Sequence, residues 1–313
     1  MTRHEDVNIE EADDLVDAPA LKVEGLSTSR GDFRLGPISM EIPMGTVTGL
    51  IGPNGSGKTT LMSSIMGLLK PEGGRVEVCG KFADPNEGEW KQNVGFVFQG
   101  QGFFQDFSVE ENLRFFSKIY RNWDTQYCRS LMIRMSVKAD RKVGELSTGE
   151  KAKLAFIAAA SHRPALLILD EPTNGMDVLI REEFLEAMGE TVRNGDNSAL
   201  ISTHILSDVS GIADHLTFVS EGRISHHFAK DELLDSWRRV SFRTEQDINI
   251  LPWIEKVERQ GEFYVVTTSN APATLKVLDL MGVKSVEQQR IELGEITRLI
   301  LTGKARAAKV EKF

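Results

Sequence analysis

The chain has 313 residues, 27% of them Asp, Glu, Lys or Arg, and a formal net charge of −9. That length suits one large domain plus a smaller one, and the acidic balance argues against a general nucleic-acid binder, which needs a basic surface. No apolar run approaches the roughly 20 residues that cross a bilayer, the start from Met1 to Asp6 has no apolar signal core, and Cys79 and Cys128 lack metal-ligand spacing, as expected of unpaired thiols in a reducing compartment.

Residues 1–19 carry Glu5, Asp6, Glu10, Glu11, Asp13 and Asp14 with few large apolar groups, a composition expected to stay disordered. Short β-rich runs at 21–26, 38–42 and 76–79 predict an antiparallel layer. Among them, residues 47–51 read as a buried strand and residues 60–66 as a helix, joined by Gly52-Pro53-Asn54-Gly55-Ser56-Gly57-Lys58-Thr59. In that setting the glycines let successive N–H groups turn inward around phosphate oxygens at a helix start. The expected nucleotide contacts are Asn54, Gly55, Ser56, Gly57, Lys58, Thr59 and Thr60. Lys58 reaches the β- and γ-phosphates, and the Thr59 hydroxyl binds Mg²⁺.

A second strand-like run, 94–98, ends at Gln99. From 100 to 164 the pattern turns helical, with a helix over 109–116 opened by a Ser108 cap. Phe103, Phe104 and Phe107 crowd just before it, either as core or as a docking surface. Ser147-Thr148-Gly149-Glu150 fits a capping box for a helix over 151–160, and the N–H groups of such a start also suit an anion. Residues 166–169 form an apolar run fit for a strand buried on both faces. It ends in Asp170, which can hold a Mg²⁺ hydration shell, and Glu171, which can act as general base on water. Pro172-Thr173-Asn174-Gly175-Met176-Asp177 then makes a tight turn, and the strand-like 199–203 leads to His204. Beyond 228 no nucleotide motif remains. Strands at 239–243 and 263–267, a turn at Gly261 and a helix at 273–281 stopped by Gly282 predict a small α/β appendage. His226 and His227 in a strand would face opposite sides and chelate poorly.

Taken in order, these motifs resemble the ATP-binding subunits of ATP-binding-cassette (ABC) transporters over about residues 20–228, and Trp123 resembles a feature of the ABC-2-type exporter branch. The resemblance implies an α/β P-loop core with a mostly parallel sheet, an antiparallel β layer and a helical subdomain at about 100–164, with 229–313 as a small accessory domain. It assigns Gln99 to the loop that touches Mg²⁺ and senses the membrane partner, and Ser147 and Gly149 to the signature. Asp177 becomes the D-loop acid, and His204 the switch histidine at the γ-phosphate. Catalysis would rest on Glu171, His204, Lys58 and Gln99, and metal contacts on Thr59, Gln99 and Asp170. Plainer readings exist for single residues: Gln99 as a polar strand end, His204 as a capping histidine.

Three departures from the family pattern stand out. Thr148 replaces a glycine and Glu150 a glutamine in the signature, leaving the Ser147 hydroxyl and the Gly149 N–H in place. A negative Glu150 beside a triphosphate is unfavourable unless it turns back onto its own helix start. Arg30 stands where the family stacks an aromatic ring on adenine, with Phe33 three residues on, and either could serve. The expectation is an ATP- and Mg²⁺-dependent hydrolase that dimerises, with like or unlike subunits, around two ATPs. It would drive separate membrane-spanning permease subunits from the cytoplasmic face of the membrane, with no nucleic-acid partner. The alternative is a soluble ABC ATPase that clamps a protein or nucleic-acid assembly. A single cassette, and no long coiled-coil insert between Gln99 and Ser147, speak against it.

Overall fold

Strand β1 (Leu21–Arg30) buries Leu21, Val23, Leu26 and Thr28 and leaves Glu24 exposed, as a strand with one covered face does. These coordinates come from a computed structural model, which describes residues 18–98, 102–194, 197–283 and 285–302. All of the acidic stretch before Ala18, and Gln99, lie outside the described residues. A turn at Gly31 and Asp32 returns the chain as β2 (Phe33–Ile42), so that Arg30 pairs with Phe33. After β3 (Val47–Ile51) and helix α1 (Lys58–Ile65), β4 (Gly73–Val78) and β5 (Lys81–Phe82) complete an antiparallel sheet ordered β2-β1-β4-β5.

The second sheet takes β3 as a central strand. Its other members are β6 (Val94–Val97), β7 (Leu166–Asp170), β8 (Ser198–Thr203), β9 (His215–Ser220) and β10 (Arg223–Ala229), in the order β10-β9-β3-β8-β7-β6. All neighbouring pairs from β9 to β6 are parallel, and β10 runs antiparallel on the edge. Every residue of β3, β7 and β8 is buried, the pattern of parallel strands covered on both faces. Because β8 lies between β3 and β7, three consecutive strands bring their carboxyl ends to one edge, where Ile51 pairs with Thr203 and Asp170 with Ser202. Ligands of open α/β sheets bind at such an edge.

Between β6 and β7 the chain forms α2 (Val109–Phe116), α3 (Thr125–Arg134) and α4 (Thr148–Ala160). Helix α4 begins earlier than the expected 151 because the Ser147 box starts the helix immediately behind it. It packs so closely on β6 that a Cβ at Gly95 would come within 2.3 Å of the Ala159 carbonyl oxygen, which requires glycine there.

After α5 (Val178–Asn194) and α6 (Ser207–Ser210), the last third forms α7 (Lys230–Ser236), β11 (Arg238–Phe242), β12 (Ile254–Gln260), β13 (Phe263–Thr268), α8 (Ala271–Leu280), β14 (Val286–Arg290) and α9 (Leu293–Leu301). The antiparallel sheet β12-β13-β11-β14 has its own core of Val240, Phe242, Leu251, Val266 and Leu278. The flanking segments pack elsewhere. Leu233, Trp237, Ile291, Ile296 and Ile300 belong to the large core that also holds Phe156, Phe184 and Phe218, and Arg239 donates to both oxygens of Glu295 at 2.7 and 2.8 Å. On β10, His226 is buried and His227 meets the Thr217 hydroxyl through Nδ1 at 2.8 Å; burial lowers both histidine pKa values. Among the described residues no group of three or more His, Cys, Asp or Glu could hold a metal, and no helix is long and apolar enough to cross a membrane.

Candidate active site

At the carboxyl edge of β3 the chain turns through a loop that only small residues permit. A Cβ at Gly52 would fall 2.3 Å from the Val219 carbonyl oxygen, and Gly55 and Gly57 have φ of +79° and +108°. Helix α1 follows with Gly57 at its N-cap, no side-chain cap and no acid in the first turn. Its first N–H groups are therefore left for an external anion, with the helix dipole favouring negative charge.

A cleft of about 570 Å³ opens over this loop, lined by Arg30, Phe33, Asn54, Gly55, Gly57, Lys58, Thr59, Thr60, Glu171, Asn174 and His204. The size suits a nucleotide. Lys58 is 4% exposed; its Nζ donates to the carbonyls of Gly52 at 2.9 Å and Pro53 at 3.2 Å and lies 3.3 Å from Glu171 Oε1. Thr59 Oγ1 donates to Asp170 Oδ2 at 2.8 Å. The other carboxylate oxygen of Asp170 accepts from Ser202 Oγ at 2.6 Å, and the same Ser202 oxygen accepts from the Glu171 N–H at 2.9 Å. One serine on β8 thus orders both Asp170, the last residue of β7, and Glu171 just beyond it. Glu171 takes a left-handed φ of +45° and meets His204 Nδ1 through Oε2 at 3.0 Å. Such a conformation costs about 1–3 kcal/mol and is kept where neighbours impose it.

Thr59 and Asp170 fit Mg²⁺. A hydroxyl beside a buried carboxylate supplies hard oxygens and leaves the remaining octahedral positions to phosphate and water, as this ion prefers. The expected contact from Gln99 lies outside the described residues.

Not every expected residue lines this cleft. Ser56 and Asp170 are buried and not part of its lining, and Ser147, Gly149 and Asp177 do not line it either. Ser147 caps α4 and is exposed, its Oγ accepting from the Glu150 N–H at 3.2 Å while Glu150 Oε2 accepts from the Ser147 N–H at 2.8 Å. The Glu150 carboxylate therefore turns back on its own helix start, and these contacts, first the Ser147 N–H, hold its pKa below the ordinary value. Asp177 is exposed and accepts from the Ile180 N–H at 3.1 Å, ahead of the exposed Val178 and Leu179.

The aromatic cluster divides. Phe103 is buried in the large core, whereas Phe104, Phe107 and Phe115 are exposed and in mutual ring contact, both centroid pairs with Phe104 being 5.2 Å apart. Buried Asn112 pins their loop, accepting from the Phe104 N–H at 2.9 Å and donating to the Phe104 carbonyl at 3.1 Å.

Two residues at the site escaped the sequence reading. Ser202 was only part of a strand-like run. Asp208, 3% exposed, accepts from Thr173 at 2.6 Å, Thr203 at 3.2 Å and Arg181, and so ties the turn after Glu171 to the strand end before His204. A buried carboxylate needs such partners, but only the fold brings them together.

Comparison with known proteins agrees with this geometry. Residues 35–174 match the family model described as ABC transporter. Nod factor export ATP-binding protein I of Burkholderia orbicola is 35% identical over 205 residues, covering 64% of this chain and 67% of the relative. The uncharacterized ABC transporter ATP-binding protein YdbJ of Bacillus subtilis is 30% identical over 247 residues, covering 78% and 80%. Among solved structures, CbiO1 of Clostridium perfringens, described as part of the ABC transporter complex cbiONQ, superposes with a TM-score of 0.61 at 28% identity, over 70% of this chain and 92% of that one. With the glycine-rich loop, Asp170, Glu171 and His204 gathered at one sheet edge, this chain belongs to the ATP-binding, ATP-hydrolysing proteins of ABC transporters.

Proposed function

We propose that the subunit works in pairs, each ATP lying between the phosphate loop of one chain and the Ser147 signature of the other, and that closure of the pair drives separate membrane-spanning permease subunits. The observation that carries this reading is the placement of Ser147: it sits on an exposed helix start, outside the cleft that holds Lys58, Glu171 and His204. A second chain is what would bring the two halves together. The exposed Val178 and Leu179 beside Asp177 add apolar surface for that contact.

In this reading Asn54, Gly55, Ser56, Gly57 and Thr60 cradle the phosphates with Lys58, and Thr59 and Asp170 would hold Mg²⁺, whose charge would offset that of the phosphates. Phosphates entering the cradle compete for Lys58, which frees Glu171 to accept a proton from an in-line water. His204, 3.0 Å from Glu171, would meet the γ-phosphate. Little covalent chemistry is asked of the protein beyond positioning and charge stabilisation.

Mixing variants tests the composite site. Ser147→Arg and Lys58→Ala chains should each be inactive alone, yet a heterodimer of the two contains one intact site and should recover hydrolysis. No recovery, with heterodimer formation shown independently, would overturn the model.

For the output, the relative named for Nod factor export and the solved CbiO1 from a multi-subunit transporter favour transport. The exposed Phe104, Phe107 and Phe115 cluster offers an anchor surface for the permease, which would place the subunit on the cytoplasmic side of the membrane. Phe104→Asp should lose capture of the membrane partner from solubilised membranes while staying folded by circular dichroism. Unchanged capture would remove the docking assignment.

A further inference from the structure

We propose that Arg141 is the positioning residue that makes an acidic signature compatible with ATP: its guanidinium neutralises Glu150 and holds it away from the nucleotide face of α4. The proposal rests on the reading that this face completes the site of a second subunit. Arg141 Nη1 donates to Glu150 Oε1 at 2.5 Å, and Arg141 Nη2 donates to the Glu145 carbonyl at 2.6 Å. The arginine is also fixed through its backbone, since its carbonyl accepts from the Val109 N–H at 2.9 Å at the start of α2. With Glu150 Oε2 taken by the Ser147 N–H at 2.8 Å, both carboxylate oxygens are occupied and neither is left to face a triphosphate.

Capping alone does not account for this arginine. The box at α2 has the same form, with Glu111 Oε2 accepting from the Ser108 N–H at 2.8 Å, and among the described residues Glu111 makes no ion pair; Arg114 and Lys142 act on it only through space. A serine and a glutamate therefore suffice to start a helix in this chain. What distinguishes α4 is that its start is exposed beside the residues assigned to a polyanion. There an uncompensated carboxylate would cancel the positive end of the dipole. Arg141 restores the sign of the field while leaving Ser147 exposed.

A double-mutant cycle on the full chain separates charge compensation from support of the fold. Steady-state hydrolysis is measured against ATP concentration for wild type, Arg141→Ala, Glu150→Gln and the double variant, with Tm recorded for each. Arg141→Ala should lower kcat/KM for ATP roughly ten-fold by exposing a like charge to the triphosphate, and the loss should shrink at high salt. In the Glu150→Gln background the same substitution should cost less than about two-fold, because no charge remains to compensate. Equal losses in both backgrounds would overturn the proposal and make Arg141 a structural support. Should Arg141→Ala fail to fold, Arg141→Gln, which keeps polar contacts without the charge, must show the same dependence on Glu150. Ser147→Arg is run in parallel. If it retains hydrolysis, the composite-site reading fails; if it abolishes hydrolysis while the cycle shows no coupling, the Arg141 proposal fails alone.

Discussion

Helices α2 and α4 begin on the same device, a serine that accepts from the third N–H at 3.2 Å and a glutamate that accepts from the serine N–H at 2.8 Å. Their surroundings differ. Behind Ser108 the chain goes directly into the core with fully buried Val109, and Ser108 itself bridges to Lys142. Behind Ser147 lies exposed Thr148, then Gly149, where a Cβ would come within 2.9 Å of Ile180 Cγ2. Helix α1 supplies the third case: a glycine N-cap, no side-chain cap and no acid in the first turn. A glycine at the N-cap costs a helix only about a few tenths of a kcal/mol relative to serine, so α1 gives up little local stability where a phosphate can take the cap's place, and α2 keeps its side-chain cap. Helix α4 is capped and exposed together, which suits an end that must stand alone in the monomer and meet a charged ligand later.

The contrast breaks most completely at the uncapped end, through the residue that faces it. Glu171→Gln keeps the shape of the side chain and removes the proton acceptor, so ATP turnover should fall at least about 10²-fold while nucleotide binding survives. An ATP-dependent dimer should then accumulate on size-exclusion chromatography. Near-normal phosphate release from the purified variant would assign the base elsewhere.

The two capped ends are separated by a matched pair, Ser108→Ala and Ser147→Ala. Each should cost about 1 kcal/mol and lower Tm by roughly 2–4 °C. Only Ser147→Ala should also reduce hydrolysis, by about ten-fold, since in the proposed composite site only that hydroxyl bonds a charged group. Equal hydrolysis in both variants would confine the α4 box to structure. The glutamates add a pH signature. Serine N–H groups, the largest cause in each case, hold Glu111 and Glu150 below the usual carboxylate range. Stability from a lowered carboxyl pKa is present above about pH 4.3 and is lost as pH falls through the folded value. The Tm gap between wild type and Glu111→Gln should accordingly close in acid.

What the sequence disclosed follows the range of the forces involved. The phosphate loop, both capping boxes and the buried strands β7 and β8 are written in adjacent residues, because glycine φ angles, caps and apolar runs are local. Ser202, Asp208, Arg181 and Arg141 carry no such mark. Ser202 matters because β8 lies beside β7, and Asp208 because the turn at Thr173 folds back over it; these contacts join residues 31 and 35 apart in the chain. The Phe103 and Phe104 pair makes the same point at short range, since one ring enters the core and its neighbour faces out, a choice made by Asn112 eight residues later. The helices Lys230–Ser236 and Leu293–Leu301 were not anticipated, because the partners of Leu233 and Ile296 lie in the large core rather than in the sheet between them.

Arg30 carries the smallest expected effect, and it tests whether adenine is held by the β hairpin at all. Arg30 and Phe33 face each other across the turn at Gly31 and Asp32, and both line the cleft. They are not equivalent. Arg30 is exposed, whereas Phe33 lies against the phosphate loop, where a Cβ at Gly57 would come within 2.9 Å of its Cζ. Phe33 also packs on the core beneath the first sheet. A guanidinium stacked on a base contributes roughly 0.5 to 2 kcal/mol, a few-fold to about thirty-fold in affinity. Our hypothesis is that Arg30→Ala weakens ATP binding several-fold, that Arg30→Tyr largely preserves it, and that Phe33→Ala acts chiefly by lowering Tm. Titration with a fluorescent ATP analogue, alongside thermal unfolding, distinguishes the three variants. Equal affinities for wild type and Arg30→Ala would discard the arginine stack, and a loss of affinity in Phe33→Ala at unchanged Tm would move the adenine contact to that ring.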